Sequence, residues 1–516
     1  MRRSVATVLV ALSTALTVLP ATTSSATNGT GSPAARPTGR VVEQRAARAL
    51  DRVTNLLAGT ATAAPTGSRP DASLAMLDLF RALPDLSGAD RAKAQGLLAR
   101  PTDGPADQYG DGYLVPARKK CSTKFCIHWV SSTADAPPNQ KWVNKSLGIM
   151  NKVWRAEVQK LGYRAPIKDG SHGGNSKFDV YLKELGGQGL YGYCAPEYTV
   201  KGEKYIASGY CVLDDDFARS QFGRAPIKSL RVTAAHEFFH AIQFAYDDTE
   251  DHWFMEATAT WMEERFADEV NDNRQYLPYG QVKDPGSSLD IFNQNGFNQY
   301  GNWPFFEYLS EKYGNGVVKS IWNKAYAGKG APDAYSIQAV KQVLDQKAGF
   351  ANVFRSYAAA NTNPSGAYAE GSHWPSAAIS KTWSLGKSAR VAKRSTHIDH
   401  LASRNFVIKP DNSLQGSRWQ ASVTVNAPSA GSTPAAYLII KKSQGGSIRK
   451  GIPLSDKGYG KVTFSFSRAS VKSATITLVN ASTRYRCWRQ NAVYSCQGKP
   501  LDEAKGFGFK ATVFKP

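Results

Sequence analysis

Histidine is scarce in this chain, 8 among 516 residues, and cysteine is scarcer at 6. No two cysteines stand in C-x-x-C spacing, so the usual cysteine zinc modules are excluded. Past the first twenty or so residues no apolar run approaches the length of a membrane span. Acidic residues are also short, 42 Asp/Glu against 64 Lys/Arg, for a net charge of +22. No nucleic-acid-binding motif accompanies that charge, which argues against a nucleic-acid partner. What remains, 42% hydrophobic and 11% aromatic residues, is the composition of a globular protein with a sizeable core.

The start reads as an exported chain. Met1-Arg2-Arg3 precedes an apolar stretch from Val5 to Leu19 and small residues suited to signal peptidase, so residues 1–26 are expected to be a signal peptide. Six cysteines in three local groups fit that setting. Cys121 with Cys126, Cys194 with Cys211, and Cys487 with Cys496 are expected to form three disulfides.

Four regions follow from texture. After the signal peptide, residues 27–110 carry helical periodicity at Val41–Leu57, Ser73–Leu83 and Ala89–Leu98, as a pro-segment or a helical brace. Residues 111–390 mix strands (Phe125–Val130, Phe178–Leu182, Tyr205–Leu213) with helices at Lys141–Leu161, Trp253–Arg265, Trp303–Tyr313, Gly316–Ala325 and Ala334–Asp345. The strand at Tyr205–Leu213 is expected to be a sheet edge on which an extended peptide could lie. It ends at Asp214-Asp215-Asp216, which reads as a solvated strand end, with calcium the lesser alternative. Residues 391–516 are short β runs separated by turns, as in an immunoglobulin-like β-sandwich. From Leu401 onward, 18 Lys/Arg face 4 Asp/Glu, so this domain is basic and suited to an anionic envelope polymer.

Two of the eight histidines fall in His236-Glu237-Phe238-Phe239-His240. At this histidine content such a motif arises by chance in well under ~1% of chains. On a helix, side chains four apart share a face, and two imidazoles there can hold zinc at roughly 2.0–2.1 Å. Glu237 reaches a water on such a metal rather than the metal itself, which suits a general base. The apolar neighbours Ala234, Ala235, Phe238, Phe239, Ala241 and Ile242 make the helix buried, and buried histidines need a partner.

A catalytic zinc takes three protein ligands. Gln243 and Tyr246 stand where a metzincin has glycine and a third histidine, which removes that class. Glu256, at the start of the next helix, is the favoured third ligand. Glu263 is the alternative, or a partner to a histidine, and Asp247 and Asp248 remain conceivable. Tyr300 is a candidate oxyanion donor, with Tyr246 and His252 behind it. His128, His172, His373, His397 and His400 have no context that gives them a role.

The segments His236-Glu-Phe-Phe-His240 and Trp253-Phe-Met-Glu-Ala-Thr-Ala-Thr-Trp261 resemble the gluzincin arrangement, whose third ligand is a glutamate on the following helix. Together with Tyr300-Gly-Asn-Trp-Pro-Phe-Phe-Glu-Tyr-Leu309 they resemble a family of secreted bacterial zinc metalloproteases. The similarity covers roughly residues 120–345. It implies an α+β zincin-like domain, a small mixed sheet with active-site helices, in which one zinc ion is held by His236, His240 and Glu256. The reaction it implies is hydrolysis of a peptide bond through a zinc-bound water, with Glu237 as base. The competing expectation is a secreted surface-binding protein whose metal site is structural and whose basic β-domain holds the envelope.

Overall fold

The computed structural model describes residues 39–59, 72–104, 112–488 and 493–516. The expected signal peptide lies outside them. The described residues belong to one compact unit of mixed α+β architecture.

Three helices come first: α1 (Gly39–Leu57), α2 (Ala72–Ala82) and α3 (Gly88–Leu97). A five-stranded mixed sheet follows, from β1 (Arg118–Cys121), β2 (Phe125–Trp129), β3 (Phe178–Lys183), β4 (Gly192–Thr199) and β5 (Ala207–Asp214), in the order β1-β2-β3-β5-β4. Strands β2, β3 and β5 run parallel, and every residue of all three is buried, as expected of strands covered on both faces. Helix α4 (Gln140–Trp154) crosses between β2 and β3.

Beyond the sheet stand the short α5 (Arg219–Phe222), the central α6 (Pro226–Phe244) and α7 (His252–Ala267). Helices α8 (Asn298–Gly301), α9 (Trp303–Tyr313), α10 (Gly316–Ala325), α11 (Ser336–Asp345) and α12 (Phe350–Ala360) complete this layer. One face of the sheet packs against α6 and its neighbours through Val180, Leu182, Cys211, Leu213 and Phe238. The opposite face presents Tyr181, Tyr193, Tyr210 and Val212 to α1–α3. The helical N-terminal region is therefore a structural layer on the sheet.

Arg100, just past α3, fastens that layer. It is 1% exposed and donates to Asp169 at 2.6 Å, to Asp179 at 2.5 Å and to both oxygens of Glu197. His128 bonds the other oxygen of Asp179 at 2.7 Å, a structural role for one of the unassigned histidines.

The remaining strands form two further sheets. One contains β6 (Ile379–Leu385), β8 (Ala402–Pro410), β10 (Pro434–Lys442), β11 (Ser447–Ile452) and β13 (Val471–Asn480). The other contains β7 (Val391–Ile398), β9 (Gln420–Asn426), β12 (Tyr459–Ser465) and β16 (Lys505–Phe514). A minor pair, β14 (Tyr485–Arg486) and β15 (Lys499–Pro500), sits between them in sequence. Phe406, Ile476 and Leu478 from one sheet meet Val423, Phe509 and Val513 from the other in a shared core. The β layers begin at Ile379, upstream of the expected boundary at 391. Strand β6 went unread because its burial is low and it pairs with β8 in parallel, across a long connection. The domain boundary expected here does not divide the core: Leu401, Ala435, Val479 and Ala481 pack into the same apolar cluster as α6 and α7.

All three cysteine pairs form as the local grouping predicts: Cys121–Cys126, Cys194–Cys211 and Cys487–Cys496. No helix among the described residues is long and apolar enough to cross a membrane.

Candidate metal centre

Helix α6 opens with Pro226 in its first turn, where a missing N–H costs nothing. Every residue from Val232 to Phe244 is buried, because α6 is wedged between the sheet, α4 and α7. Alanines at 234, 235 and 241 let those neighbours approach, and Ala257 and Ala259 do the same from α7. The polar residues of the motif thus sit in a low-dielectric setting where each needs a partner.

His236 and His240 lie one turn apart, their rings edge to face with centroids 4.8 Å apart. Their Nε2 atoms converge on one carboxylate: Glu256 Oε2 lies 3.2 Å from His236 and Glu256 Oε1 3.3 Å from His240. Glu256 is fully buried on the second turn of α7, facing back across the Ala245–Asp251 turn. The opposite ring nitrogens are also held. His236 Nδ1 is 2.8 Å from Glu263 Oε1, and His240 Nδ1 is 2.7 Å from Gln243 Oε1. Gln243 in turn donates to the Met255 carbonyl at 2.9 Å and to Thr258 at 3.2 Å. Outer partners of this kind fix the tautomer and ring orientation of metal-bound histidines.

Electrostatics point the same way. Burial works against a charge on both imidazoles, yet the bonds and charges of Glu256 and, for His236, Glu263 hold both above the ordinary histidine range. Burial likewise opposes ionisation of Glu256, and the two imidazoles outweigh it, holding its carboxyl well below the usual range. Glu256 Oε1 is buried without a hydrogen bond. Two imidazole nitrogens and a carboxylate oxygen, their donor atoms within 4.8 Å of one another, are the donor set of a catalytic zinc, so the residues fit that ion.

The structure separates the expected ligands. Glu263 serves His236 from behind. Asp248 is paired with Arg81 at 2.7 Å, and Asp247 accepts from Thr249, so both aspartates face away from the histidines. Glu237 lines the pocket that contains the three ligands, together with Gly192, Thr233, Asp272, Tyr276 and Tyr300. Tyr300 lies with its ring centroid 6.1 Å from that of His236 and stacks on Tyr276 at 5.0 Å. Tyr276 was missed, since one tyrosine among 23 carries no sequence signal. Tyr246 does not join the pocket: it is packed among Tyr163, Trp322 and Tyr326, and its hydroxyl accepts from the Arg164 amide at 3.2 Å. His252 pairs with Asp78 at 3.1 Å.

Two expectations are corrected. The strand at Ala207–Asp214 is interior, between β3 and β4, and β4 is the sheet edge beside α6. Pro196 is the signal that marks β4 as an edge strand, because proline cannot donate to a ladder. The Asp214–Asp216 strand end is not solvated: Asp214 and Asp215 are 0% and 3% exposed. Asp214 accepts from the amides of Leu185, Gly186, Asp216 and Phe217, which makes it a loop organiser.

No curated protein matches this chain. Among solved structures, a mutant of PliG-Ec, a periplasmic inhibitor of g-type lysozyme from Escherichia coli, is 10% identical over 26% of this chain and 96% of its own, with a TM-score of 0.15. A mitogen derived from Yersinia pseudotuberculosis is 15% identical over 24% of this chain and 87% of its own, also at 0.15. The surface-associated copper-binding protein CorA of Methylomicrobium album BG8 is 12% identical over 27% and 99%, at 0.16. At these scores neither fold nor function carries over. The family model that matches spans residues 106–364, half the chain and all of His236, Glu237, His240 and Glu256, and by that match the chain belongs to the family of unknown function DUF6055.

Proposed function

We propose that this is a secreted zinc-dependent peptidase of gluzincin type, with a zincin-like sheet and helices around its metal and an immunoglobulin-like sandwich behind it. The observation that carries the proposal is the convergence of His236 Nε2 and His240 Nε2 on the Glu256 carboxylate, with Glu237 on the same pocket. Zinc bound there supplies Lewis acidity, polarising a substrate carbonyl and acidifying a water.

The chain's own residues do the rest. Glu237 sits one residue after a ligand on the pocket wall, placed to take a proton from the attacking water and return it to the leaving amine. Glu263 and Gln243 hold the two imidazoles with Nε2 toward the centre. Tyr300, braced by Tyr276, is the group placed to donate to a developing oxyanion. The competing reading, a purely structural metal in an envelope-binding protein, has no use for a carboxylate beside the ligands in the same pocket.

Glu237 separates the two. Zinc-loaded wild type and Glu237→Gln, incubated with a peptide library and read by mass spectrometry for new termini, should differ by a factor of 100 or more. Cleavage at equal rates by both would count against the peptidase reading.

A further inference from the structure

One hydrogen bond joins the N-terminal helices to the catalytic motif. The Ser73 hydroxyl, in the first turn of α2, donates to Glu237 Oε2 at 2.6 Å, across 164 positions of sequence. The Ser73 hydroxyl oxygen in turn accepts the backbone N–H of Cys194 at 2.9 Å. Cys194 belongs to β4, which pairs only with β5, so this amide points out from the open edge of the sheet. Ser73 is 3% exposed and lines the metal pocket with Ala72.

Around this bond, α2 straddles the edge of β4. Its Leu74 and Leu77 pack into the core on the α6 side, while Ala72, Ala75, Met76 and Leu79 pack on the other face of the sheet. Two ion pairs latch the helix to the turn and helix that follow His240: Arg81 with Asp248 at 2.7 Å, and Asp78 with His252 at 3.1 Å. Both latches are partly solvated on the α2 side, Arg81 being 32% and Asp78 39% exposed.

An extended peptide binds an edge strand through its outward amides and carbonyls, and a general base needs its carboxylate free for water. Ser73 takes one group of each kind. Resting on the peptidase reading above, we infer that α2 is an intramolecular inhibitor: Ser73 occupies the position of substrate between the edge of β4 and Glu237, and the chain as folded here is latent until α2 leaves that edge. The matched family segment, residues 106–364, contains the metal centre and β4 but not α2, so the inhibitor and the site it blocks are separate pieces of the chain.

The test uses the zinc-loaded full chain and two measurements: the rate at which dipicolinate strips the zinc, and the rate of hydrolysis of peptides of ten or more residues. Asp78→Asn and Arg81→Gln weaken the latches without touching the pocket. Each should raise both rates at least tenfold over wild type, with the added Glu237→Gln change abolishing hydrolysis alone. Should these variants misfold by circular dichroism, Ser73→Ala, small enough for the same helix, should raise hydrolysis of short acyl-dipeptides, whereas Ser73→Thr should behave as wild type. Folded variants that match wild type in both rates would overturn the inhibitor. Faster zinc loss with no hydrolysis by any variant would leave the occlusion standing and sink the peptidase reading.

Discussion

At the residue scale, two carboxylates and one amide share the four imidazole nitrogens: Glu256 meets both Nε2 atoms, and Glu263 and Gln243 each take one Nδ1. Glu263 holds His236 by Nδ1, so Glu263→Gln should weaken zinc binding by roughly 10- to 100-fold while leaving the fold intact. Competition with a fluorescent zinc chelator measures this, and unchanged affinity would show that Glu263 has no part in tuning the site. His236, Glu237 and His240 were legible in the sequence because their spacing is a local property of one helix. Glu256 was legible as the nearest carboxylate that a helix after a short turn could return to the two histidines. The roles of Gln243, Tyr276 and Ser73 were not. Each depends on what a distant element brings alongside, and their residue types are common enough to carry no signal.

At the scale of elements, helices with strong periodicity fell where their patterns put them: α1, α9 and α10 lie within two residues of the expected limits. Strands were read well when buried and badly at edges. Strand β4 holds a glycine and a proline within a mixed polar run, so nothing marked it but Pro196 and its disulfide partner, and the interior β5 was taken for the edge in its place. The N-terminal layer is fixed by Arg100, whose guanidinium is the cation among three buried or nearly buried carboxylates. Replacing it with methionine keeps an unbranched apolar stem, removes the guanidinium and strands Asp169, Asp179 and Glu197. Arg100→Met should cost about 3–5 kcal/mol and lower the melting temperature by roughly 3–5 °C. A melting temperature within a degree of wild type would mean that Arg100 does not fasten α1–α3.

At the scale of the whole molecule, the sandwich is joined to the helical layer through a buried polar junction. His400, 1% exposed, bonds Asp290 at 2.8 Å, and Asp290 also accepts from the Tyr485 hydroxyl and the Ser495 amide. Burial works against its charge, but Asp290 and Glu503 push its pKa up to about 9. A histidine raised from 6.5 in this way stabilises the fold fully below pH 6.5, and the stabilisation is lost as pH rises through 9, a swing of about 3 kcal/mol. The melting temperature of wild type relative to His400→Asn should therefore shrink steadily between pH 6.5 and 9.5, and a pH-independent gap would refute the charged pair. No sequence pattern announced this junction, because His400 and Asp290 are 110 positions apart and neither lies in a motif.

The central claim is that three residues from two helices form one metal centre, and zinc content per chain after exhaustive dialysis tests it most directly. Wild type and Glu237→Gln should each retain one equivalent, since Glu237 stands beside the metal and not on it, and Glu256→Ala should retain almost none. Zinc held equally by Glu256→Ala and wild type, or lost from Glu237→Gln, would contradict the account.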